Sequence, residues 1–172
     1  MKILAAIATA GIALGSLGLQ AAELNPRDYM EIEQLYAQYN HAIDSGDAEG
    51  WANTFTPDGT FNRFVGHDAL VGFIGTWREK MNGANRRHWN TNLRIVATPE
   101  GANGSVYLML MDVGTKPASV VSTGMYTDSL VKTKDGWRFK QRTTKGDAPA
   151  AAAAAPAAPA TPAEAPAAPP KN

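Results

Sequence analysis

Residues 85–93 read NRRHWNTNL, and within them His88, Asn90 and Asn92 alternate with Trp89, Thr91 and Leu93. In a strand, successive side chains point to opposite faces, so this spacing places an imidazole and two amides in a row on one face. That face is either wet or the wall of a pocket. An imidazole on a pocket wall is suited to proton transfer near neutral pH. A second row of the same period, Gly124, Tyr126, Asp128 and Leu130, offers a phenol and a carboxylate; Tyr126 with Asp128 serves equally as a cross-strand surface pair. The three His show no H-x-H or H-x-x-x-H spacing, so no metal site is expected. His41 stands three residues before Asp44, where the two can pair on a helix surface.

The elements that must position these residues follow from periodicity. Asn25-Pro26 is a helix start, and Ile32, Leu35, Tyr36, Tyr39, Ala42 and Ile43 then define one apolar face. Gly46 stops that helix, and Asp47 caps a short second one carrying Trp51 and Phe55. The turn TPDG, residues 56–59, leads into a strand over residues 60–65. A third helix from about Asp68 carries Leu70, Phe73, Ile74, Trp77 and Met81 on one side, with His67 in the turn before it. Strands follow over 88–97, 105–113, 119–132 and 137–144, separated by turns such as PEGANG and KDGW. Helices first and a strand meander last indicate an α+β fold, a curved antiparallel sheet packed against the helices.

Both ends of the 172-residue chain differ in character from its middle. Met1-Lys2, an uncharged run of small and apolar residues, and the pair Ala21-Ala22 before Glu23 have the pattern of a secretory signal peptide over residues 1–22. Residues 147–172 are almost entirely Ala and Pro and have nothing to bury, so a disordered tail is expected. Residues 23–146 suit one domain with one modest core. Absence of cysteine excludes disulfides, thiolate catalysis, iron–sulfur clusters and lipidation after the signal. The expected location is periplasmic or secreted, with no membrane span once the signal is removed. Acids and bases balance at 16 each, which leaves no basic surplus for nucleic acid.

The segment IEQLYAQYNHAIDSGDAEGWANTFTPDGTF, the GHDAL helix start, RHWNTN and GMYTDSLVKTKDGWRFKQR together resemble the SnoaL-like branch of the nuclear transport factor two-like superfamily. The resemblance covers nearly all of residues 31–142. It implies a cone, a bent sheet wrapped around a long helix with an apolar pocket open at one end. The superfamily includes scytalone dehydratase, bile-acid dehydratase, ketosteroid isomerase and polyketide cyclases, and also proteins that only bind, so fold does not decide function. By the same resemblance His88 falls on the dehydratases' catalytic histidine and Asp44 on their acid at the end of the first helix. A carboxylate bonded to one imidazole nitrogen would fix the tautomer of the ring. Tyr39 matches a tyrosine of the bile-acid enzyme that can donate to an enolate oxygen, although core packing explains it as well. That enzyme's middle-strand acid falls near Leu110, with Asp112 one register step away; Tyr126 and Asp128 lie close to substrate contacts of scytalone dehydratase. Asn62 and Arg63 stand where ketosteroid isomerase has its proton-abstracting acid, which disfavours that route.

The expected activity is therefore cofactor-independent elimination or isomerisation of a small, mostly apolar, oxygenated molecule. His88, Asp44 and Tyr39 would do the chemistry, and Asn90, Asn92, Asp112, Tyr126 and Asp128 would line the site. The rival is a non-catalytic module of the same fold that binds a hydrophobic ligand or a protein. Members of the superfamily commonly pair through the outer face of the sheet, so a homodimer is expected.

Overall fold

A computed structural model describes residues 23–81 and 85–148; the signal-like run over 1–22 and nearly all of the Ala/Pro-rich tail lie outside the described residues. Helix α1 (Pro26–Ser45) begins with a reciprocal cap. Asn25 Oδ1 accepts the Asp28 N–H and the Asp28 carboxylate accepts the Asn25 N–H, each at 3.0 Å, with Pro26 at the first helical position. Gly46 ends the helix in the left-handed region, φ 74°, where a residue without Cβ is favoured. Asp47 then caps α2 (Ala48–Ala52) by accepting the Gly50 N–H at 2.9 Å.

Strand β1 (Phe55–Phe61) starts earlier than its pattern predicts. Phe55 lies opposite Phe139 and Thr60 opposite Gln141, so the TPDG segment is a bulge inside a strand rather than a turn before one. A tight turn at Asn62-Arg63 returns the chain as β2 (Phe64–Val65). Asn62 sits at φ 51°, a conformation asparagine tolerates, and its side-chain oxygen accepts the Thr144 N–H at 2.9 Å. Helix α3 (His67–Met81) includes His67, which the sequence reading leaves in a turn. β3 (Arg86–Thr98), β4 (Gly101–Asp112), β5 (Ser119–Thr133) and β6 (Gly136–Gly146) form the meander. β4 begins within the expected PEGANG turn, because Pro99-Glu100 alone closes the hairpin. The single sheet has the order β2-β1-β6-β5-β4-β3, antiparallel except where β1 runs parallel to β6. This is the α+β cone that the sequence implies.

The inner face of the sheet closes on α1. Ile32, Leu35, Tyr36, Tyr39, Ala42 and Ile43 are buried against Val106, Leu130, Trp137 and Phe139, and Trp51 packs in from α2. At the centre lies a charge: Arg142 is 0% exposed, and its Nε and Nη2 donate to Asp128 Oδ1 and Oδ2 at 2.7 and 2.8 Å. Tyr36 also donates its hydroxyl to Asp128. Gly104 makes that reach possible, since a Cβ there would stand 2.2 Å from the Tyr36 hydroxyl oxygen. The guanidinium carbon lies 4.0–4.6 Å from the ring centroids of Phe139, Tyr39, Tyr126 and Tyr36, so aromatic faces enclose the cation. Burial opposes its charge, but the Asp128 carboxylate outweighs burial and the Arg142 pKa is raised.

Candidate active site

The last turn of α1 and the first residues of β3 meet at the open end of the cone. Asp44 takes the His88 backbone N–H at 3.1–3.2 Å and the His88 Nδ1 at 2.7 Å. One carboxylate thus holds both the strand and the ring it presents. In the neutral imidazole, a proton on Nδ1 directed at a carboxylate leaves the lone pair on Nε2. His88 is 7% exposed and its ring lies 5.8 Å from that of Trp77.

The ring forms part of the wall of a cavity of about 400 Å³. Phe61, Phe64, Phe73 and Trp77 supply one side; Leu108, Leu110 and Tyr126 supply the sheet side, with Ser122 and Thr144 beside them. Asn62, Arg63 and Lys80 complete the polar part of the lining. On its other side the His88–Asp44 pair borders a surface groove shared with His41 and Arg87. The pair therefore stands between an apolar cavity and solvent.

The strand faces are settled by a bulge that the sequence pattern does not announce. Asn92 adopts φ 57° and the β3–β4 register shifts between Thr91 and Arg94. His88 and Asn90 point inward before the bulge, and Leu93 and Ile95 pack on the core after it. The row His88, Asn90, Asn92 therefore keeps one face only for its first two members. Asn92 is exposed at the bulge and does not line the cavity. Asn90 is spent on the helix: its Oδ1 accepts from Asn40 Nδ2 at 2.7 Å, which pins α1 to β3.

Three further expectations need correction. Tyr39 is 0% exposed within the ring cluster of Trp51, Phe55, Phe139 and Tyr126, and is absent from the cavity wall. Burial above all pushes its phenol up to about 12. Asp128 is consumed by Arg142 and Tyr36 in the core, a partnership formed across strands. Asp112 pairs with Arg86 at the end of the β3–β4 ladder, and a hydrogen bond from Arg86 holds its carboxyl below the ordinary range. Of the eight expected site residues, His88 and Tyr126 line the cavity and Asp44 backs His88.

Phe73, Trp77 and Lys80 line the cavity, and the sequence reading did not single them out for it. Their spacing of four and then three marks one face of α3. Phe73 and Trp77 read as core, yet only Leu70 and Ile74 of that helix are fully buried, and the aromatic pair turns to the cavity.

Comparison with known proteins agrees with this architecture. The chain is 26% identical over 136 residues to the anthranilate 1,2-dioxygenase small subunit of Burkholderia cepacia, covering 67% of this chain and 84% of that one. A Catenulispora acidiphila protein solved in complex with S-DNPA superposes with a TM-score of 0.64 at 28% identity, covering 72% of this chain and 96% of that one. A Novosphingobium aromaticivorans protein provisionally named a scytalone dehydratase superposes at 0.58 with 22% identity, over 71% of this chain and 85% of its own; at that identity the likeness concerns the fold alone. The SnoaL-like domain model matches residues 26–143, the whole of the cone from α1 into β6, and with its NTF2-like fold the chain belongs to the SnoaL-like domain family.

Proposed function

We propose that the protein is a cofactor-independent lyase or isomerase that begins its reaction by removing a proton next to a carbonyl. The observation that carries this reading is the 2.7 Å contact of Asp44 with His88 Nδ1 on the wall of an apolar cavity. His88 Nε2 takes the carbon-bound proton, and the electron pair of the C–H bond moves toward the carbonyl oxygen as an enolate. In elimination, the enolate expels a β-hydroxyl that leaves as water with the proton His88 gained. In isomerisation, the same proton returns at a different carbon. Tyr126 is the phenol placed to donate to the enolate oxygen, in place of Tyr39. Burial, and next the neighbouring Tyr39, raise the Tyr126 phenol well above its ordinary value, so it remains a donor. Asp44 orients the ring and stabilises the imidazolium that forms. The aromatic walls position the substrate and limit water.

The test is exchange of carbon-bound hydrogen with D₂O in a panel of apolar ketones and β-hydroxy ketones, followed by NMR. Wild type should catalyse exchange, His88→Ala should lose about 10²–10⁴-fold, and Asp44→Asn should lose part of that, all with native folding. Exchange at the wild-type rate in a folded His88→Ala protein would remove the chemistry.

A specific observation also favours an interaction role. Trp89 and Tyr107, 51% and 56% exposed, lie on the outer face of adjacent strands, and one relative is named as a subunit. We read this face as the pairing surface of a homodimer, with export directed by residues 1–22. Light scattering should give a dimer mass that falls to the monomer in Trp89→Glu; a monomeric wild type at micromolar concentration would remove the dimer.

A further inference from the structure

The cavity is electrostatically one-sided. Arg63 reaches it from the β1–β2 turn and Lys80 from the last turn of α3, while no Asp or Glu lines it. Arg63 is held in place across the Phe64 ring, 4.8 Å from its centroid. Among the described residues neither cation takes part in an ion pair. Asp44, the acid behind the wall, is bonded to His88.

We propose that the ligand of this cavity is a small, ring-bearing carboxylate. Its apolar body lies among Phe64, Phe73, Trp77 and Leu110, and its carboxylate sits between Arg63 and Lys80. Apolar walls favour burial of the body through lost water contact. Two exposed cations on separate elements favour an anion that stays partly solvated, so the charge need not be buried with the rest. A cationic ligand would meet like charge at both positions, and a neutral one would gain hydrogen bonds there but no charge pairing. Anchoring the acid at Arg63 and Lys80 also sets direction, leaving the remainder of the molecule for His88 and Tyr126. This inference rests on the reading of the cavity as the ligand site, and it is independent of whether His88 performs chemistry.

Calorimetric titration with 2-naphthoate and its neutral isostere 2-naphthamide tests it. Wild type should bind the acid at least about tenfold more tightly than the amide, with the margin shrinking as salt is raised. The Arg63→Gln/Lys80→Gln protein should discriminate less than about twofold. His88→Ala should keep the wild-type preference, because the acid group is held elsewhere. Equal affinities in wild type, failure of both probes to bind, or a preference lost in His88→Ala but kept in the double variant would each overturn the proposal. A preserved acid preference combined with wild-type exchange in His88→Ala would instead sink the proton-transfer reading alone.

Discussion

Asp128 with Arg142, strand to strand, and Asp44 with His88, helix to strand, are two carboxylate–nitrogen pairs whose surroundings differ. Asp128 and Arg142 are sealed, both side chains at 0% exposure and the guanidinium enclosed by four rings. Asp44 and His88 stand at the open end, with a cavity on one side and a groove on the other. Both pairs have good hydrogen-bond geometry, so geometry does not separate their roles. Access does. The inner pair has no room for a reacting molecule, and its cation is one that does not release a proton under ordinary conditions. The outer pair ends in an imidazole nitrogen that a ligand can reach. A carboxylate bonded to a basic side chain is therefore a functional candidate only where the fold leaves space next to it.

The comparison breaks most visibly at Arg142. Arg142→Met leaves the Asp128 carboxylate in the core without its cation and with only the Tyr36 hydroxyl bonded to it, and should destabilise the protein by about 3–5 kcal/mol in denaturant unfolding. Removing both charges, as in Arg142→Met with Asp128→Leu, should recover part of that loss, because desolvation of each ion is avoided. A single variant as stable as wild type would mean that the inner pair does not hold the core.

How much of this was legible in the sequence depends on how local each signal is. Helix α1 was clear because its cap, apolar stripe and Gly46 stop are all read within twenty or so residues, and its observed bounds agree. That His88 and Tyr126 face the inside of the cone was legible because alternation in a strand assigns faces. The same rule failed at Asn92, since a bulge inserts one residue and exchanges the faces beyond it; this is why Leu93 and His88 share the inner side. Asp128 was misread as a ligand contact because its partner Arg142 lies on the next strand, in a register that β5 and β6 set only on pairing. TPDG looked like a turn because Pro and Gly mark turns and bulges alike.

A smaller effect sharpens the contrast at the other end of α1. Asp28 caps its own helix by accepting the Asn25 N–H, and accepts from Lys132 Nζ at 2.6 Å and Trp137 Nε1 at 3.0 Å. The hydrogen bond from Lys132 is the leading cause that holds its carboxyl below the ordinary range. A depressed carboxyl stabilises the fold above its unfolded value and ceases to do so as pH falls through its folded value. Melting temperature should therefore decline as pH drops below about 4, and Asp28→Asn should be less stable at neutral pH with a shallower acid decline. An identical acid limb in the variant would show that Asp28 has no part in it.

The account turns on one proton. If Asp44 holds the His88 ring with Nε2 toward the cavity as a base, the neutral ring must carry hydrogen on Nδ1 and none on Nε2. Nitrogen-15 NMR of histidine-labelled protein distinguishes the two nitrogens directly. The account predicts a protonated Nδ1 and a bare Nε2 for His88 in wild type, shifting to a mixture of tautomers in Asp44→Asn. A wild-type ring with its hydrogen on Nε2 would contradict it.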